Sequence, residues 1–212
     1  MILTDTERAA ATAIIANIAD LEAARQFLTD KMDKWLLKEM LGVLESKART
    51  FDWYHAIKED NEDTYFIMPR DWAASGPRRD KCEEDAWFYL GWHNGEGDSE
   101  WESWVACAVG KAVSGSWLEF GFGRSVVTKT LWRKILTEYP VIVEQLRGLG
   151  FAIEPRDGLI DYPVTLDPDA LARAFEANDF SEASAPLERA IDMAAKAKPL
   201  LDPLVAAIRA RI

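Results

Sequence analysis

Cysteine and histidine are scarce in this chain, two of each in 212 residues. Cys82 and Cys107 provide no disulfide framework, so a reducing, cytoplasmic setting is the expectation. Together with His55 and His93 they match no zinc-ligand spacing, and neither a metal nor a cofactor is expected. Long apolar runs are missing too. The most apolar early stretch, Ala9 to Ala19, is broken by Thr12 and Asn17 and is too short to span a bilayer. Met1 to Glu7 lacks the basic region that precedes the apolar run of a signal peptide. The catalytic motifs are also lacking: there is no Gly-x-Ser-x-Gly elbow, no cysteine–histidine signature, and no completed P-loop or dinucleotide pattern.

Positive charge is in deficit. Lysine and arginine number 25 against 36 acids, giving a formal charge of −11. The segment from Lys58 to Glu102 holds 13 of the acids and 5 of the bases, so it carries most of the excess. Such a field repels a duplex, and direct nucleic-acid binding is not expected. A basic cluster at Arg78, Arg79 and Lys81 and the more positive carboxyl-terminal helices are the local exceptions.

Tryptophan is abundant, with nine residues, which calls for a well-filled core or an aromatic surface and argues against disorder. Thr4 with Glu7 forms a capping box ahead of a helix from Asp5 to about Leu28, with Ile14, Ile15, Ile18 and Leu21 at helical spacing. A second helix is predicted from Asp30 to Ser46. Thr64 to Met68 reads as a strand ended by Pro69, Ala86 to His93 as another, and Trp101 to Val109 as the next. Asn94-Gly95 between the last two is a hairpin signal. Ser116 to Phe122 gives a further strand. Phe88, Leu90 and Trp92 alternate with Trp87 and Tyr89, so both faces of that strand are apolar and both call for cover. A helix from Val127 to Leu146, to be kinked or divided by Pro140, leads to a small hairpin around Arg156-Asp157-Gly158. Asp167 before Pro168 starts a helix to Ala177, and helices from Ser181 to Lys196 and from Asp202 to Arg211 finish the chain.

The expected fold is a single α+β domain over 1–212: an antiparallel β-meander packed against flanking N- and C-terminal helices. Its parts are a helical segment 1–50, a sheet at 62–123, and a helical segment 126–212 containing the hairpin at 151–162.

Several groups are candidates for chemistry. The turn Asn94 to Glu100 offers oxygen donors, though not in the order of an EF-hand. Gly121-Phe122-Gly123-Arg124-Ser125 joins a strand to a helix, a place where phosphate can bind, and otherwise reads as a strand exit with Arg124 exposed. Asp85, Glu102 and Glu119 could pair for acid–base work if any two converge. The tryptophans could stack bases or anchor a protein partner, and the acidic balance favours the partner. The candidate binding residues are Trp87, Trp92, Trp101 and Trp104, with Glu96, Asp98 and Arg124.

The order Asp85-Ala86-Trp87-Phe88-Tyr89-Leu90-Gly91-Trp92, Trp117-Leu118-Glu119-Phe120-Gly121-Phe122-Gly123 and Asp167-Pro168-Asp169-Ala170-Leu171 resembles the region after the catalytic core in some bacterial and phage proteins of the PD-(D/E)XK nuclease superfamily. The resemblance spans Asp30 to Ile212. The catalytic signature is absent, and Glu45-Ser46-Lys47, the right residue types, falls in a predicted helix. No catalytic residue carries over, so the resemblance implies a stand-alone relative of the accessory part without nuclease activity.

The leading expectation is a non-catalytic intracellular interaction protein whose acidic, aromatic surface meets a protein partner of basic character. The alternatives are a small-molecule-binding protein or enzyme with a pocket lined by tryptophan and acid, or a degenerate nuclease-like subunit.

Overall fold

The computed structural model describes residues 2–57, 65–73, 85–93, 103–124, 127–154 and 158–211. Helix α1 spans Asp5–Ala16. Its capping box forms as expected: Thr4 N donates to Glu7 Oε2 at 2.6 Å, and Glu7 N donates to Thr4 Oγ1 at 3.3 Å. The helix expected to run to Leu28 is divided at Asn17, whose side-chain amide donates to the Ala13 carbonyl at 2.8 Å and competes with the backbone ladder. Helix α2 covers Ile18–Phe27, a π-helical turn covers Leu28–Asp33, and α3 covers Lys34–Thr50. Leu36, Met40, Leu44 and Ala48, four apart, form the buried stripe of α3.

Six strands follow: β1 Tyr54–Ile57, β2 Tyr65–Met68, β3 Ala86–His93, β4 Trp117–Arg124, β5 Ala152–Glu154 and β6 Leu159–Val164. They form one sheet in the order β1-β2-β3-β4-β6-β5, with every neighbouring pair antiparallel. The architecture is α+β.

One pairing expected from the sequence is overturned. Ala86–His93 does not pair with Trp101–Val109; its partner is β4, with Phe88 opposite Phe122 and Leu90 opposite Phe120. Trp104–Ala108 is instead a short helix, α4. Ser103 caps it by accepting from the amides of Val105 and Ala106, and Asp33 accepts from Ser103 Oγ at 2.6 Å and Val105 N at 2.9 Å. A five-residue apolar run satisfies either period, and here a distant carboxylate settles it as helix. The Asn94-Gly95 turn lies outside the described residues.

Two other differences concern the later elements. The hairpin of β5 and β6 is part of the main sheet, because β6 pairs along β4 from Leu118 opposite Val164 to Gly121 opposite Asp161. The two expected C-terminal helices are one, α8, Ala185–Arg209, with Pro199 and Pro203 inside it. An interior proline costs about 3 kcal/mol. Burying Leu201, Leu204, Val205 and Ile208 beyond it offsets that at roughly 1.5–3 kcal/mol each.

Pro140 divides the preceding helix as expected, into α5 Lys129–Glu138 and α6 Pro140–Gly148. Helix α7 is Pro168–Ala177, capped by Asp167. It ends on Asn178 in the left-handed region, whose Oδ1 accepts from Trp35 Nε1 at 3.0 Å.

The helices meet the sheet on the face that carries Phe88, Leu90, Phe120 and Phe122. Trp72 packs between this face and α8, 5.3 Å from the Phe88 ring and 5.6 Å from Phe122, with its indole N–H donated to Asp202 at 2.8 Å. Trp132 of α5 stacks on Phe122 at 5.7 Å and donates to the Gly158 carbonyl at 2.7 Å. Among the described residues, no helix is long and apolar enough to cross a membrane.

Candidate functional site

Strand alternation places Trp87, Tyr89, Glu119, Gly121, Gly123 and Asp161 on the other face of the sheet. The register sets Trp87 opposite Gly123, Tyr89 opposite Gly121, and Gly121 opposite Asp161. Both glycines carry an aromatic ring across bare backbone. A β-carbon on Gly121 would stand 2.5 Å from both Tyr89 Oη and Asp161 Oδ1, and one on Gly123 would strike the Trp87 indole. The strand-to-helix junction considered for phosphate is thus differently built. Gly121 and Gly123 lie within β4 and seat side chains, while α5 starts later, capped by Thr128.

By crossing Gly121, Tyr89 reaches two carboxylates. Its hydroxyl lies 3.0 Å from Glu119 Oε1 and 3.1 Å from Asp161 Oδ1. Both acids are buried, at 4% and 7% exposure. Burial first, and then the charge of Asp161, push Glu119 up to about 7; the Tyr89 hydrogen bond opposes this. Burial and the two acids hold the Tyr89 phenol above its ordinary value, so it stays neutral. A phenol has one hydrogen, so only one of the two contacts can be donated by Tyr89. Protonated Glu119 donating to Tyr89, which donates to Asp161, makes both contacts hydrogen bonds with the one phenolic hydrogen available. The cluster can hold or release one proton near neutral pH.

Of the three acids read as candidates, Glu119 is the one that converges with another carboxylate among the described residues. Asp85 is buried and pairs instead with Arg209 Nε at 2.5 Å, joining the start of β3 to the end of α8. Glu102 lies outside the described residues. Asp161 and Tyr89 carried no signal as site residues, because their meeting depends on the β4–β6 register and on a glycine between them.

The candidate binding residues are dispersed. Trp87 is half-buried on the face of the carboxylate pair. Trp92 is on the helix-covered face, where it meets the buried Trp104 edge to face at 4.5 Å. Arg124 is half-buried rather than an exposed strand exit, with its guanidinium 5.1 Å from the Trp132 ring. Trp101, Glu96 and Asp98 lie outside the described residues. Among the described residues, no group of three or more His, Cys, Asp or Glu is placed to hold a metal ion. A cleft between α3 and the β1–β2 hairpin is lined by Leu41, Leu44, Glu45, His55, Tyr65, Phe66 and Ile67, with no tryptophan. Glu45-Ser46-Lys47 lies in α3, where Lys47 Nζ donates to Asp192 of α8 at 2.8 Å.

A second surface stands out by its lack of packing. Neither α1 nor α2 has a buried residue. Ile14, Ile18 and Leu21 are 48–50% exposed, Phe27 is 59% exposed, and Ile15 is 72% exposed. The residues read in the sequence as the apolar stripe of an amphipathic helix therefore line an arm that buries none of them. No protein-family model, curated protein or solved structure matches the chain.

Proposed function

We propose that this chain is a non-catalytic interaction protein that engages other polypeptide through its N-terminal helical arm, while its acidic body selects a partner of basic character. The observation that carries this is the arm: two consecutive helices with apolar residues at helical spacing and none of them buried. An isolated helix of 10 or 12 residues is marginal in water, and amphipathic helices owe most of their stability to packing. Large apolar side chains grouped on one exposed element mark an association site. The charge of −11 speeds and selects encounter with a basic surface without fixing its affinity. The resemblance to an accessory region without nuclease activity spans Asp30 to Ile212 and bears only on the non-catalytic part of this reading.

Photo-crosslinking tests this reading. A benzophenone amino acid at Ile15 is expected to capture a polypeptide in cells. The same group at Val141, equally exposed on α6, is the control and should capture nothing comparable. Equal capture from both positions would count against the arm.

A second reading follows from the buried pair. Glu119 and Asp161, bridged by Tyr89 beside Trp87, are what an acid–base or cation-binding site would need. The same contacts also have a purely architectural use, since the rings fill the space over Gly121 and Gly123. Glu119→Gln separates the two: a binding or catalytic role is lost with the carboxylate, while an architectural role survives in the isosteric amide.

A further inference from the structure

Positions 7, 11, 14, 18, 21 and 25 alternate at spacings of four and three along the arm, the spacing of a two-helix seam. They are Glu7, Ala11, Ile14, Ile18, Leu21 and Arg25. The structure keeps them available: Ala11 is half-buried and the other five are exposed. We infer that the occupant of this seam is the arm of a second copy, running antiparallel, with Glu7 facing Arg25 and Ile14 facing Ile18 across the pair.

The charges select this arrangement. With two copies antiparallel and residue 14 level with residue 18, Ala11 meets Leu21 and Glu7 meets Arg25, so each charge meets its opposite and small meets large. In the parallel alternative Glu7 would face Glu7 and Arg25 would face Arg25, and like charges across a seam are destabilising. The current partners of both charges are local and exposed. Glu7 closes the capping box with Thr4, and Arg25 reaches Glu22 at 3.1 Å, a surface pair of the kind that contributes little. The turn at Asn17 falls beside the midpoint of this register, so the bends of the two arms coincide.

The arm of α1 and α2 is roughly 35 Å long and ~10 Å wide. Its seam is therefore smaller than the ~800 Å² per partner of a standard stable interface. A reversible dimer that forms as concentration rises is the expected behaviour. It leaves the acidic body free for the basic partner, and the inference rests on the reading of the arm as an association surface.

Sedimentation equilibrium of the full chain across micromolar to hundreds of micromolar concentration is the test. The mass is expected to rise from 23.9 kDa toward twice that value. R25E should weaken association about fivefold or more, and E7R added to R25E should restore it. E7R also removes the capping partner of Thr4, so the decisive comparison is E7A/R25E against E7R/R25E, which share the lost cap and differ only in the charge at position 7. Residues 7 and 25 lie about 27 Å apart along one arm, so rescue can act only between chains. A monomer at every concentration, or no rescue, overturns the inference. If a monomeric chain still crosslinks a different polypeptide through position 15, the self-pairing falls and the broader reading stands. A monomer with no capture overturns both.

Discussion

Tyr89 lies across Gly121, with its hydroxyl 2.5 Å from where a β-carbon on that glycine would stand. This one cross-strand relationship carries a neutral phenol over β4 to Glu119 on that same strand and to Asp161 of β6 beyond it. It makes the glycine a steric requirement of the register, independent of its backbone freedom.

Gly121→Ala is therefore expected to destabilise the protein by about 1–3 kcal/mol, the usual cost of overpacking. The added methyl must displace both the Tyr89 ring and the Asp161 carboxylate. Urea denaturation reads the loss. Gly42→Ala, on α3 with nothing within 4 Å of the new atom, should cost nothing and serves as the control.

The acid pair predicts a slope of stability with pH. Folded Glu119 keeps its proton up to about pH 7, while its ordinary value is 4.5, so the folded state binds more protons between those limits. The stability that Glu119 contributes is full below pH 4.5 and is lost as pH rises through about 7. The effect is on the order of 1–3 kcal/mol. Denaturant titrations at pH 5, 6, 7 and 8 should show the decline, and Glu119→Gln should flatten it. A wild-type stability that rises steadily over this range would refute the assignment.

Asp85 and Arg209 make an ion pair that ties the end of α8 to the start of β3. Asp85 is 6% exposed, and Arg209 also donates to the Asp71 carbonyl at 2.7 Å. Arg209→Ala leaves a buried carboxylate without its cation and, with the arginine 40% exposed, should cost about 1–3 kcal/mol. Adding Asp85→Asn should recover part of that loss. Thermal denaturation of the two single variants and the double measures the coupling.

The arm and the core should respond oppositely to substitution. Ile14→Asp with Ile18→Asp alters two exposed residues on helices that bury none of their own and should shift the denaturation midpoint of dilute protein little. Leu44→Ala, at 3% exposure in the stripe of α3, should cost about 2–5 kcal/mol. The arm variant should abolish association while the core variant leaves it intact, as read by sedimentation and chemical denaturation together.

Local signals decided much of this protein. The Thr4–Glu7 box, the Pro140 division, the Asp167-Pro168 start and strand β3 can all be read from the sequence, because each depends on residues a few positions apart. Composition fixed the charge and the lack of motifs. Tertiary structure alone decided what distant residues do to one another. Trp104–Ala108 is helical because Asp33, about seventy positions earlier, binds its cap. Strand β3 chose β4 over its expected neighbour because pairing is set by competition among all available edges. Helix α8 passes through two prolines because Leu201 between them and Leu204, Val205 and Ile208 beyond them have a core to enter. The stripe Ile14, Ile18 and Leu21 shows the converse. Its periodicity specified a helix with an apolar side, and only the positions of the other described elements showed that these residues stay half exposed. Glu119 and Asp161 meet for the same reason: alternation gives each a face, but the register between strands with two helices and a hairpin strand between them in sequence brings the two acids to one tyrosine.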